Sequence, residues 1–309
     1  MRRPLLVLLF VFLCGWGPPL SAQSNSSNIV ESPSIPPVAV GKAYVYKVTG
    51  GRDLRVYVLS PDPKLFPGQR PAFVSFHGGS WVSGSPDWFN DQTKYLVSRG
   101  MVGIEVEYRL LSPTDTKPPI ECIEDAKSAF RWIRNHASEL QIDPHKIGGA
   151  GGSAGGHLVA FAGLMTGFDD PSDDLTISAR PDAMILFNPA IINGPGHWGY
   201  DRVGERYIEF SPFYHVSSNA PPAIIMVGTA DVIIPQDAVM EFSRKMKVAG
   251  NDCQTWLFPN QPHGFFNKEP YKDITLLEVD AFLVHLGWLQ GPATIASPAL
   301  PKLEEPFHP

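Results

Sequence analysis

The chain has 309 residues, 43% hydrophobic and 18% charged, with a formal net charge of −6. This is an ordinary globular composition; it excludes collagenous and disordered chains and offers no basic surface for nucleic acid or an anionic membrane. No internal repeat runs along it, which excludes a solenoid or propeller, and its length accommodates one large α/β domain.

In chain order, the first feature is Arg2-Arg3, followed by an apolar run from Leu5 to Cys14 and then by Leu20-Ser21-Ala22. Charge, apolar core and small residues in that order form the pattern of a secretory signal peptide. The run is too short to cross a bilayer, which takes about 20 residues. Residues 1–22 are therefore expected to be cleaved near Ala22, leaving a secreted or periplasmic protein with no stable membrane anchor. Residues 23–42, rich in Ser, Asn and Pro, read as a flexible leader, and the Asn25-Ser26-Ser27 sequon in it as a chance match.

The folded domain is expected over residues 43–289. Apolar runs place strands near 43–49, 54–60, 71–77, 102–108, 147–152, 183–188, 223–228 and 253–258. Helical spacing and punctuation place helices near 87–99, 120–137, 154–165, 236–249 and 272–287. In the second of these, Pro118-Pro119 precede the start, and Ile123, Ala126, Phe130 and Ile133 share one face. Gly50-Gly51 mark a hairpin between the first two strands, so the sheet is antiparallel at one edge. The remaining strands alternate with helices, which predicts a mostly parallel sheet covered by helices on both faces.

Asp143-Pro144 is expected to break the chain before the strand at 147. The acidic run Asp169-Asp170-Pro171-Ser172-Asp173-Asp174 lacks the spacing of an EF-hand loop and reads as a solvated loop rather than a calcium site. Residues 190–221 interrupt the alternation and are long enough for a lid segment, not a second domain. If Cys14 leaves with the signal, Cys122 and Cys253 remain, expected as two unpaired, partly buried thiols. Residues 290–309 form a Pro-rich tail.

The chemistry concentrates at strand ends. Gly151-Gly152-Ser153-Ala154-Gly155 lies where a strand must turn sharply into a helix. A G-x-S-x-G sequence there is a nucleophile elbow, whose glycines remove the β-carbons that would collide in the turn. Ser153 is thus the candidate nucleophile; its bland alternative is a helix N-cap. His263 follows the strand near 253–258 and is the candidate general base; Asp231 follows the strand near 223–228 and would orient the imidazole. Asp237 is the runner-up for the acid, although it should lie inside the next helix. The backbone N–H of Ala154, one residue after the serine, is a candidate oxyanion donor. His77, in His77-Gly78-Gly79-Ser80-Trp81 after the third strand, precedes the serine in chain order and reads as an anchor of the glycine loop. His157 reads as a packed structural histidine. Trp81, Tyr108, Trp198 and Phe265 are candidates for the substrate pocket, with core packing as the alternative.

With its oxyanion loop, Ser, Asp and His in this order, the chain resembles the α/β-hydrolases of the esterase/lipase group over roughly residues 43–289. HGGSW and GGSAGGHL carry the resemblance to the hormone-sensitive-lipase-like and small carbohydrate-esterase branches. The lipase branch usually shows His-Gly-Gly-Gly and Gly-Asp-Ser-Ala-Gly; Ser80 and Gly152 depart from it, and Trp81 follows. The resemblance implies an eight-stranded sheet with a small cap, and an oxyanion hole that adds the N–H groups of Gly78 and Gly79. It also implies a serine esterase for short-chain or carbohydrate-linked acetyl or feruloyl esters. N-formylkynurenine formamidases share the HGG-x-W pattern, so an amidase is the alternative, with a peptidase behind it. A non-catalytic binding module is disfavoured because all three triad members are present. The chemistry calls for no cofactor or metal, and neither a His-Glu-x-x-His nor a paired Cys-x-x-Cys motif occurs. The partner is a small-molecule or carbohydrate ester; nothing in the sequence fixes the oligomeric state.

Overall fold

The computed structural model describes residues 39–296. The expected signal segment, the sequon, most of the leader and the end of the Pro-rich tail lie outside the described residues. Eight strands form one sheet: β1 (Lys42–Thr49), β2 (Arg52–Leu59), β3 (Arg70–Phe76), β4 (Val102–Val106), β5 (Ile142–Gly152), β6 (Ala183–Phe187), β7 (Ala223–Gly228) and β8 (Cys253–Phe258). Their spatial order is β1-β2-β4-β3-β5-β6-β7-β8. β1 pairs with β2, and β2 with β4, antiparallel; every other pairing is parallel.

The hairpin turns at Gly50 and Gly51, with φ of 56° and 74°, which glycine adopts at no steric cost. The main helices are α1 (Asn90–Ser98), α2 (Ile120–Asn135), α3 (Ala154–Leu164), α6 (Gln236–Val248) and α7 (Tyr271–His285). Between β6 and β7, residues 190–221 carry the one-turn helices α4 (Tyr200–Val203) and α5 (Tyr207–Phe210), with 3₁₀ turns around them.

The central strands β4, β6 and β7 are buried along their whole length. Helices cover both of their faces, so β6 and β7 are unbroken apolar runs rather than alternating ones, and β4 departs from this only at the buried Glu105. α3 behaves likewise, with Ala154 to Gly163 all buried beneath the sheet's carboxyl edge. The core lies in two clusters. One centres on Val74, Phe76, Ile104, Phe130 and Phe161, the other on Phe73, Phe89, Phe187, Phe266 and Phe282.

Three expectations need correction. Asp143-Pro144 do not end the strand: β5 already begins at Ile142, opposite Arg70, and resumes pairing with Ile147 opposite Ala72. The residues between bulge out of the ladder, where a proline's missing N–H leaves no partner waiting. The acidic loop is solvated only in part: Pro171, Ser172 and Asp174 are exposed, but the other three carboxylates are paired. Asp170 pairs with Lys47 at 2.6 Å, Asp169 with Lys127 at 2.6 Å, and Asp173 with Arg131 at 2.8 Å. Lys47 also pairs with the fully buried Asp125 at 2.8 Å, so the loop is docked onto α2 and β1. Cys122 and Cys253 are unpaired but fully rather than partly buried.

Candidate active site

β3 ends at Phe76, and the chain turns back through His77 to Gly84. A β-carbon on Gly79, with φ of 108°, would lie 2.1 Å from the Ser83 carbonyl oxygen; one on Gly84, with φ of 106°, would lie 2.3 Å from His77 Nδ1. Ser80 and Trp81 both take φ near 60°, a conformation that costs a non-glycine residue about 1 kcal/mol or more. The loop is therefore held in a shape that its own backbone does not prefer. His77 supplies part of the hold. It is buried, and its Nδ1–H donates to the Gly78 carbonyl at 2.7 Å. The Tyr108 hydroxyl donates to the His77 carbonyl at 2.8 Å, and the two rings stack at 4.3 Å. Burial pushes the His77 pKa down to about 4, so the ring is neutral near pH 7 and serves as an anchor. The N–H groups of Gly78 and Gly79 take no acceptor among the described residues.

At the elbow Ser153 has φ of 55° and ψ of −117°, with its N–H bound to the Phe187 carbonyl at 3.0 Å. A β-carbon on Gly155 would fall 2.0 Å from the Phe76 oxygen, and one on Gly151 would fall 2.4 Å from Gly155. The two glycines therefore let β3, β5 and α3 cross at contact distance. At Gly152, where the lipase branch carries aspartate, a β-carbon would meet the Phe266 ring at 2.6 Å. Ser153 does not cap α3 with its side chain. Its Oγ lies 3.0 Å from His263 Nε2 instead.

His263 Nδ1 lies 2.7 Å from Asp231 Oδ2, with the Asp231 side chain fully buried. The other carboxylate oxygen, Oδ1, accepts the N–H groups of Ile233 and Ile234, both at 2.9 Å. Asp231 is thereby fixed in one rotamer with Oδ2 facing the imidazole. Asp237 sits exposed in the first turn of α6, away from this chain of contacts. Ser153, His263 and Asp231 thus form a continuous hydrogen-bonded line. In it the imidazole can accept the serine proton at Nε2 while Nδ1–H faces the carboxylate. The Ala154 N–H has no acceptor among the described residues and opens from the start of α3 beside Ser153.

The loop bearing His263 crosses over Gly228, where a β-carbon would sit 2.0 Å from the Gln261 oxygen. Ala230 N–H binds Gln261 O at 3.1 Å, and Asn260 N–H binds Thr229 Oγ1 at 2.8 Å. Sequence reasoning missed Asn188, which directly follows β6. Its Oδ1 accepts the Gly264 N–H at 3.2 Å, one residue beyond the histidine. The available signal was an Asn-Pro pair at the carboxyl end of a strand. His157, also buried, donates Nε2–H to the Phe210 carbonyl at 2.8 Å and ties α3 to α5. Burial pushes its pKa to about 4 as well.

The four aromatic residues considered for the pocket separate. Tyr108 lies beneath the glycine loop, and Phe265 packs against Phe258 and Tyr271. Trp81 is also fully buried, edge-on to His157 at 5.0 Å and against Trp198 at 4.7 Å. Trp198 alone of the four keeps exposed surface. Nearness to a motif places these residues but does not decide which way they face. Trp88, not considered from sequence, is 40% exposed, and its ring occupies the position that a β-carbon on Gly78 would need. Among the described residues no group of acidic, histidine or cysteine side chains could hold a metal ion, and no helix is long and apolar enough to cross a membrane.

The crossing at Gly155, the strained serine and the Ser–His–Asp line on this sheet define a serine hydrolase of the α/β-hydrolase fold. Residues 62–185 match the BD-FAE family and residues 183–287 the prolyl oligopeptidase family. The apo structure of Thermogutta terrifontis esterase 2 superposes with a TM-score of 0.77 at 38% identity, covering 83% of this chain and 98% of that one. The same esterase has been solved with propionate bound and with butyrate bound, matching with TM-scores of 0.75 and 0.74. Esterase LipC of Mycobacterium tuberculosis is 27% identical over 63% of this chain and 53% of its own. The acetylxylan esterase of Xylanibacter ruminicola is 29% identical over 58% and 36%. The chain spans about half the length or less of these two curated relatives. It belongs to the α/β-hydrolase esterases.

Proposed function

We propose that the protein is a secreted serine carboxylic-ester hydrolase that works through an acyl-enzyme on short-chain or carbohydrate-linked esters. The observation that carries this reading is the hydrogen-bonded line from Ser153 through His263 to Asp231. In this reading Ser153 Oγ attacks the ester carbonyl carbon as its proton passes to His263 Nε2. The carbonyl oxygen, now negative, is held by the N–H groups of Gly78, Gly79 and Ala154; loss of one such donor costs about 10² to 10³ in rate. When the tetrahedral centre collapses, His263 returns the proton to the departing alcohol and leaves an acyl-Ser153 ester. Water, activated by the same imidazole, then releases the acid and restores the serine.

A short acyl group is supported by the bulk of Trp198, backed by Trp81 and His157. It is also supported by the capture of propionate and butyrate by the Thermogutta esterase. A hydrophilic alcohol is supported by Trp88, whose ring abuts Gly78 and which lines a cavity of about 410 Å³ with Ser85, Asn90, Gln92, Asn267 and Lys272. The match to the acetylxylan esterase points the same way. Export rests on the Arg2-Arg3 and apolar pattern of residues 1–22. An amidase is the second reading, favoured by the prolyl oligopeptidase match over residues 183–287. The test is kcat/KM across acetate, butyrate, octanoate and palmitate esters, then acetylated sugars, feruloyl esters and N-formylkynurenine. A maximum at acetate or butyrate and turnover of a sugar ester support the proposal. A maximum at octanoate or beyond rejects the short acyl site, and preference for N-formylkynurenine replaces the esterase with an amidase.

A further inference from the structure

The segment Phe187–Ala190, which begins with the last residue of β6, bonds to the serine, to the strand before Asp231 and to the residue after His263. The Phe187 carbonyl accepts the Ser153 N–H at 3.0 Å, and the Ala190 N–H reaches back to the Ser153 carbonyl at 3.3 Å. Between them, the Asn188 N–H binds the Met226 carbonyl of β7 at 2.7 Å, the strand that leads to Asp231. The Asn188 side chain closes the circuit by accepting the Gly264 N–H.

Asn188 is fully buried with φ of 35°, a region that asparagine enters more readily than other non-glycine residues. The donor at Gly264 fixes which way the amide faces, so Oδ1 is the atom in use. Its Nδ2 is buried without a partner among the described residues. An apolar side chain would carry no such unpaired donor. The site thus retains an amide whose one described side-chain contact is the residue next to His263.

We propose that Asn188 is a positioning residue that holds the His263 loop in register with the serine elbow, so that Nε2 stays within hydrogen-bonding reach of Oγ. The serine is fixed from behind by the same segment, and the histidine is fixed relative to it through one side-chain acceptor. Small displacements of a general base are expensive: a misplacement of about 1 Å can cost about 10² in rate. The proposal rests on the serine-hydrolase reading and is tested without reference to the natural substrate.

The experiment uses Asn188→Gly and Asn188→Asp in the full chain. Glycine accepts the positive φ and removes the acceptor; aspartate keeps the acceptor and the conformational tolerance. A fluorophosphonate forms a bond between phosphorus and Ser153 Oγ as fluoride leaves, and needs the serine proton removed. Its labelling rate therefore reports the Ser–His pair directly. Failure of the wild-type protein to label would overturn the nucleophile reading rather than this one. With the wild type labelling, Asn188→Gly is expected to label about 10- to 100-fold more slowly. Its kcat on a p-nitrophenyl ester per labelled site should fall in parallel, with KM within about twofold, and Asn188→Asp should recover a large part of the loss. Labelling rate and kcat in Asn188→Gly within twofold of wild type, even with a lowered Tm, would reduce Asn188 to a purely structural residue and overturn the proposal.

Discussion

On the serine side of the site, Gly79, Gly84, Gly151 and Gly155 each stand where a β-carbon would meet another group at 2.4 Å or less. Buried, neutral His77 closes the loop above them. On the side of His263 the loops are more exposed, and hydrogen bonds do the holding: Asp231 to Ile233 and Ile234, Ala230 to Gln261, Gly264 to Asn188. The first region is fixed chiefly by what cannot be added; the second, apart from the close crossing at Gly228, is fixed by what must not be removed. The nucleophile and oxyanion donors need fixed positions throughout the reaction. The imidazole must face the attacking serine and then the leaving oxygen, and a hydrogen-bonded loop permits that small adjustment.

Apart from removal of the nucleophile itself, the largest expected effect falls on the hydrogen-bonded side. Asp231→Asn keeps the shape but lets the amide hold the wrong imidazole tautomer, and a loss of about 10⁴ in kcat is expected with the fold retained by circular dichroism. A variant within tenfold of wild type would move the acid role elsewhere. On the glycine side, Gly155→Ala drives a β-carbon against the Phe76 oxygen at a buried crossing. A destabilisation of about 3 kcal/mol is expected, seen as a lower denaturant midpoint, together with loss of activity. A midpoint matching wild type would show that this crossing is not rigid.

The buried histidines give a smaller effect that depends on pH. Burial lowers the folded-state pKa of His157 to about 4, below the ordinary value of about 6.5. The unfolded chain therefore binds the proton first on acidification. The contribution is fully present above pH 6.5 and is lost as pH falls toward 4, by about 3 kcal/mol at that pH. Chemical denaturation at pH 7 and pH 4.5 should show a smaller pH-dependent loss in His157→Gln than in wild type; equal losses would contradict the neutral, buried assignment. The smallest effect belongs to Asp237→Asn, an exposed helix residue, with kcat expected within about twofold of wild type.

Much of this comparison is legible in the sequence, because β3, β6 and β7 are largely apolar runs, β2 alternates, and the elbow glycines bracket Ser153 at fixed spacing. The order β2-β4-β3 is not, since periodicity identifies strands but not their neighbours. The bulge in β5 is hidden because Asp143-Pro144 punctuate a broken ladder and a true break alike. Lys47 and Asp170 are 123 positions apart, so the acidic loop reads as solvated until the fold brings its cations to it. Asn188 has no motif, because its role lies in one carbonyl oxygen meeting a backbone N–H from a distant loop. Tyr108 and Phe265 show the limit on facing: strand ends and loops carry no periodicity that tells core from pocket.

The most direct test of the central claim is turnover of p-nitrophenyl acetate by the purified protein, with fluorophosphonate labelling and mapping of the adduct, alongside Ser153→Ala. The expected result is an adduct on Ser153, and a variant that folds but loses about 10⁶ in kcat and all labelling. Ester turnover retained above a few per cent in Ser153→Ala, with contamination excluded, or an adduct on another residue, would contradict the account.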